Sequence, residues 1–198
     1  MRESPRRGTA TKERILEAAL DTLRDQGFAE TTARAIARRG GFNQALIFYH
    51  FGSVANMLLE AFQELSEVQA EKYRSAAEKV SSLTDLVTIA RRLHDDDLET
   101  GSVTAVTQLM AAATGPQEGR PILDRFEEWI RIVQEALNRA LDGSPIGGLV
   151  STREAAYAIS AMFLGIELMT RLDPERSEAD AVFDMMASVA RLVEDFAP

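Results

Sequence analysis

Four consecutive residues, Asn43-Gln44-Ala45-Leu46, follow a Gly40-Gly41-Phe42 turn, and Tyr49-His50 come about one helical turn later. Their chemistry is recognition rather than bond making. The Gln44 amide carries a donor and an acceptor side by side, the pattern that pairs with adenine N6 and N7; Ala45 and Leu46 offer only apolar contact, for instance to a thymine methyl. Such a bidentate pair is worth about 1–3 kcal/mol of discrimination between bases. Tyr49 and His50 are suited to hydrogen-bond phosphate oxygens. Thr32 and Arg34, at the start of the preceding segment, are predicted to meet the backbone or the groove edge. Lys12, with Arg6 and Arg7, adds charge that neutralises phosphate without reading sequence.

These side chains reach one surface only if two short helices meet at the glycine pair. The flanking residues are those such an arrangement needs. A first helix is predicted over 11–26, with Leu16, Leu20 and Leu23 on one stripe, Ile15 and Ala19 beside it, and Gly27 as its stop. Phe28 is expected to turn back into the core. Thr32 is a candidate N-cap for a helix over 33–39, and Asn43 for one over 44–50. Either Gly40 or Gly41 can take a positive φ at little cost. Ile36, Ile47, Phe48 and Phe51 are assigned to the core, since apolar residues at helical spacing bury. The pattern is a helix-turn-helix: one helix braces, the next enters the major groove.

Beyond it the chain reads as helix throughout, with no period-two pattern, internal repeat or low-complexity tract. Ser53 is placed to cap a fourth helix that runs to about Val80 and carries Leu58, Phe62, Leu65 and Gln69 on one stripe. A helix over 82–94 is followed by Asp95-Asp96-Asp97, read as a solvated junction. Helices over 98–113 and 121–141 come next, then the loop DGSPIGG from Asp142 to Gly148. Two long helices end the chain. Ala155, Ile159, Met162, Ile166 and Met169 align on one, and Val182, Met186, Val189, Val193 and Phe196 on the other. The fold class is therefore all-α. The predicted division is a flexible basic arm (1–10), a helix-turn-helix domain (11–52) and a helical body (53–198).

Charge separates along the same boundary. Residues 1–52 hold nine Lys/Arg and six Asp/Glu, a net +3; the rest hold thirteen and twenty-five, a net −12. A phosphate footprint depends on the field at the contact face, not on the total of −9. Cysteine is absent, which removes disulfides and thiolate chemistry and fits a reducing cytoplasm. No apolar run of roughly 18 residues suggests a membrane span, and the charged N-terminus lacks the apolar core of a secretion signal.

Residues 11–62 resemble the N-terminal domain of the TetR family of transcriptional regulators. The resemblance rests on the apolar first helix ending in Gly27-Phe28, Thr31-Thr32-Ala33-Arg34, Ile36-Ala37, the Gly40-Gly41 turn and Ile47-Phe48-Tyr49-His50-Phe51. It implies a repressor released from a palindromic double-stranded DNA operator by a small-molecule effector. Three positions depart from the family pattern. Phe48 stands where a phosphate-binding tyrosine is usual, Val54 where a lysine is common, and Leu46 where a small hydroxyl residue is frequent.

One short recognition helix gives little affinity, so a homodimer is expected, through helices over about 151–172 and 175–196. Ala155, Ala156, Ala158, Ala161 and Gly165 permit close approach there. Met110, Phe126, Trp129, Ile130, Val133, Met162 and Phe163 form an adaptable apolar set for a small hydrophobic effector. Glu167 is expected to pair with Arg171, four residues on.

The alternative is a helical enzyme or metal-binding protein that uses His94-Asp95-Asp96-Asp97. Consecutive residues point to different sides of a helix, which is poor geometry for a closed site. A third reading is a helical interaction module without DNA affinity. No hydrolase elbow or phosphate-cradling loop occurs, so no cofactor and no catalytic residue are assigned.

Overall fold

The computed structural model describes residues 5–101, 103, 105–108, 116–144, 147–173 and 178–195. Its helices are α1 (Pro5–Gln26), α2 (Ala33–Gly40), α3 (Ala45–Phe51), α4 (Val54–Ala77), α5 (Leu83–Thr100), α6 (Pro116–Ala140), α7 (Thr152–Leu172) and α8 (Glu178–Asp195). Residues 105–108 are also helical, and no strand occurs among the described residues. The chain divides into two compact units: Met1–Glu67 with Thr104–Thr114, and Val68–Val103 with Gly115–Pro198.

In the first unit the expected stripe of α1 is the inner one. Ile15, Leu16, Ala19, Thr22 and Leu23 are buried; the Thr22 hydroxyl is satisfied by donating to the Ala18 carbonyl at 2.6 Å. The helix begins at Pro5, so 5–10, expected as part of the arm, are helical. Phe28 does not return to the core. It lies in a 3₁₀ turn, Phe28–Glu30, and is 44% exposed. Thr32 caps α2 by accepting the Ala35 N–H at 3.2 Å. Gly41 then takes φ 66 and closes the helix. Gly40 is required for a different reason: a Cβ there would lie 2.1 Å from the Phe42 ring. The Asn43 side chain accepts the Ala45 N–H at 2.9 Å, and Ser53 accepts that of Asn56 at 3.0 Å.

The second unit departs more from expectation. Asp95-Asp96-Asp97 is not a junction: α5 continues through it from the Ser82 cap to a left-handed Gly101. A helix can pass because Asp95 and Asp96 face solvent while Asp97, on the inner side, is buried. The helix expected from 121 starts at Pro116. Proline suits a first helical turn, where its missing N–H has no intrahelical partner to lose. In α7 the buried residues are Ala156, Ser160, Phe163 and Glu167, one position on from the expected stripe. Met162 and Met169 are exposed.

The body's interior is aromatic. Trp129 lies 5.4 Å from Phe126, 5.6 Å from Phe163 and 5.9 Å from Tyr73, between ring centroids. The N-terminal turn of α5 is tied to α8 by Thr84, whose N–H and hydroxyl donate to the Glu194 carboxylate at 2.8 and 2.7 Å.

Candidate nucleic-acid interface and internal cavity

In the first unit, α3 is a seven-residue helix with a buried and an exposed side. Ile47 and Phe51, four apart, face inward, and Asn43, Gln44 and Ala45 are exposed at its N-terminal edge. Leu46 is half-buried. Tyr49 is 73% exposed, and its ring meets that of His50 edge-on at 4.9 Å. Phe48, expected in the core, is half exposed on the same side as Gln44. On so short a helix, Ile47 and Phe51 already fill the inner face.

Arg34 is exposed at the start of α2, next to the capping Thr32, which is exposed too. His50 turns its Nε2 inward, where it has no partner among the described residues. The Lys12 ammonium is already engaged. It donates to Glu60 at 2.8 Å and lies 5.0 Å from the centre of the Phe51 ring. The side chains of Arg6 and Arg7 lie outside the described residues.

The second unit holds a partly open cavity of about 400 Å³. Its wall is drawn from α4 (Tyr73, Ala77), α5 (Leu86, Ala90), α6 (Trp129, Val133), α7 (Ile159, Ser160, Phe163) and α8 (Met186, Val193), among others. Of the expected ligand-binding set, Trp129, Val133 and Phe163 line it. Phe126 instead backs Trp129, Met162 faces solvent, and Met110 lies outside the described residues. The α4 and α5 residues of the wall were not anticipated, although Tyr73 and Ala77 are four apart and so share a helix face.

Two buried polar clusters flank this wall. Asp97 accepts hydrogen bonds from Gln69 and Lys72, each at 2.9 Å, and from the Tyr73 hydroxyl. Burial, then the Asp97 charge and hydrogen bond, push the Tyr73 phenol well above its usual range, so it stays a donor. The second cluster is His94 Nδ1 against Glu167 Oε1 at 2.5 Å. The structure gives Glu167 the partner His94; the expected pairing with Arg171 falls on a side chain outside the described residues. With His94 and Asp97 committed in this way, the acidic run does not assemble a metal site. Among the described residues, no group of three or more His, Cys, Asp or Glu converges as ligands would.

The His94–Glu167 pair predicts a pH dependence. Burial, together with the Asp97 charge, pushes the Glu167 carboxyl up by more than His94 and Lys72 pull it down. Burial lowers the His94 imidazole, but the hydrogen bond and charge of Glu167, with Asp95 and Asp97, hold it above its ordinary value. Both groups therefore keep a proton to higher pH when folded. The His94 contribution is complete below an unfolded value of about 6.5 and is lost as pH rises through the folded value. The raised Glu167 adds a loss of the same sign, starting above the ordinary carboxylate range. Tm is expected to fall as pH rises above about 6.5, and Glu167→Gln to flatten the slope. A Tm that climbs across this range contradicts the assignment.

Residues 15–61 match the family described as bacterial regulatory proteins, tetR family. An uncharacterised HTH-type transcriptional regulator of Mycobacterium tuberculosis, and one of Mycobacterium bovis, are each 28% identical over 117 residues, 57% of this chain. The match likewise spans only 57% of those relatives' length. Similar folds occur in FadR of Bacillus subtilis, solved with stearoyl-CoA, with a TM-score of 0.72 at 14% identity over 90% of this chain and 96% of that one. SmeT, the repressor of the Stenotrophomonas maltophilia multidrug efflux pump SmeDEF, gives a TM-score of 0.70 at 21% identity over 92% and 91%. Among the described residues, no single helix is long and apolar enough to cross a membrane.

Proposed function

We propose that this chain, whose residues 15–61 match the tetR family of bacterial regulatory proteins, is a DNA-binding transcriptional regulator: a homodimeric repressor released from a palindromic operator by a small apolar effector. The observation that carries the DNA-binding half is the exposed edge of α3, with Gln44 and Ala45 held outward by the buried Ile47 and Phe51. Gln44 is the base reader. Arg34, Tyr49, His50, Thr32 and Asn43 position the helix on phosphates, and Ala45 and Leu46 supply apolar contact to bases. Lys12 acts chiefly by holding Glu60 and Phe51, with a smaller phosphate role.

Dimerisation is supported by the outer face of α7 and α8. Tyr157, Leu168, Met169, Leu172 and Leu192 are exposed there, and large apolar side chains gathered on an exposed helix face mark an interaction surface. Gly165 agrees. A mid-helix glycine costs about 1 kcal/mol relative to alanine, yet a Cβ at this position would meet nothing within 4 Å. The chain's own packing gives no reason for the glycine, whereas close approach of a second copy does. The effector half is supported by the apolar cavity. FadR, which shares this fold, was solved with an acyl-CoA.

Gel-shift titration on the DNA flanking the protein's own gene, at low ionic strength and without added small molecule, tests the reading. Gln44→Ala is expected to lose about 1–3 kcal/mol of preference for operator over scrambled duplex. Arg34→Ala is expected to weaken both duplexes alike and to lower the salt slope by about one. Failure to shift any flanking duplex removes the DNA-binding reading. Identical behaviour of the two variants removes the division between reader and anchor.

A further inference from the structure

The cavity wall is almost wholly apolar; among its described lining residues three side chains carry a polar atom, Tyr73 and Ser160 with their hydroxyls and Trp129 with its indole N–H. The Tyr73 hydroxyl is spent on Asp97. Ser160 differs: it is fully buried, and its Oγ has no hydrogen-bond partner among the described residues. A serine in a helix usually recovers the hydrogen bond by turning back to the carbonyl four residues earlier, and Ser160 does not do so. A buried hydroxyl left unpaired is a standing cost, removed when something in the cavity supplies the missing partner. Among the described residues, no Lys, Arg, His, Asp or Glu lines the cavity, so a charged group there would be desolvated without compensation.

Building on the effector reading above, we infer that the cavity selects an uncharged, largely apolar molecule carrying one hydrogen-bonding oxygen, which Ser160 Oγ anchors. The volume lies within the ordinary range for small-molecule sites. The class is that of medium-chain alcohols, ketones and their cyclic analogues. Carboxylates and amines on the same carbon skeleton are excluded by the dry wall.

The test uses the full chain and five probes that share one alkyl chain: octane, octanol, octanone, octanoate and octylamine. Affinity is read by titration calorimetry, and release by gel shift on the operator. Octanol and octanone are expected to bind and to release DNA, and the two charged probes to bind at least about 10-fold more weakly. Ser160→Ala is expected to weaken octanol and octanone about 3- to 10-fold and to leave octane unchanged. This variant discards an unpaired hydroxyl, so it should fold, with a ligand-free Tm above that of wild type. If the Tm falls instead, Ser160 has a partner within the protein and the anchor is refuted. Equal affinity of wild type and Ser160→Ala for octanol also overturns the anchor, as does preference for a charged probe. If no probe binds wild type while DNA binding persists, the effector reading itself fails; octane binding with an indifferent Ser160 sinks the anchor alone.

Discussion

Replacing Asp97 with alanine is expected to destabilise the protein by about 3 kcal/mol, lowering the Tm by roughly 6–12 °C for a chain of this size. Asp97 is 1% exposed, and three donors from one face of α4 converge on it. Its removal strands the Tyr73 hydroxyl in a dry interior, an unpaired polar group that by itself costs about 1–3 kcal/mol. Among the described residues, the carboxylate left to Lys72 is that of the exposed Asp96, at 3.7 Å. Its own partial exposure lets water compensate some of the loss, which is why the figure sits at the low end for a broken buried pair. Asp97→Asn, which keeps an acceptor oxygen, should recover part of the loss. Differential scanning calorimetry of the three proteins decides: a shift under about 1 kcal/mol for Asp97→Ala means the cluster is not the brace between α4 and α5 that the structure shows.

Ala161→Glu is expected to convert the protein to monomer and to weaken operator binding at least about 100-fold. Ala161 is exposed on α7, flanked by Tyr157, Met162 and Gly165 on the face proposed to meet a second copy. About a two-fold axis the substitution places two carboxylates in one apolar interface, each desolvated and without a partner. The monomer's fold should be untouched, since the residue points to solvent in the single chain. Sedimentation equilibrium reads the association, and circular dichroism confirms the helices. If the variant sediments as wild type and shifts the operator normally, the dimer uses another surface.

The first unit was legible because each of its features has a local cause. A capping hydroxyl, a glycine that must turn and a pair of apolar residues four apart suffice to set α2 and α3. The misses there, Phe28 and Phe48, are aromatic residues at places where a short element has no remaining inner face. In the second unit periodicity misled in a specific way. Helix α7 carries two apolar faces, and the one chosen from sequence was the more hydrophobic. The buried face includes Ser160 and Glu167, which local hydropathy argues against and which are retained by a cavity and by His94 on another helix. Asp97 was hidden for the same reason. Its partners lie 24 to 28 residues earlier, and nothing in a run of three aspartates tells which one turns inward.

Trp129 is the chain's sole tryptophan, and it stands in the cavity wall against Tyr73, Phe126 and Phe163. Its indole emission therefore comes from one spot in the molecule. Wavelength and intensity report the dryness of that spot alone, and Tyr73 is close enough to hand it excitation energy. The protein thus carries its own optical gauge of what enters the chamber, without a dye or a label.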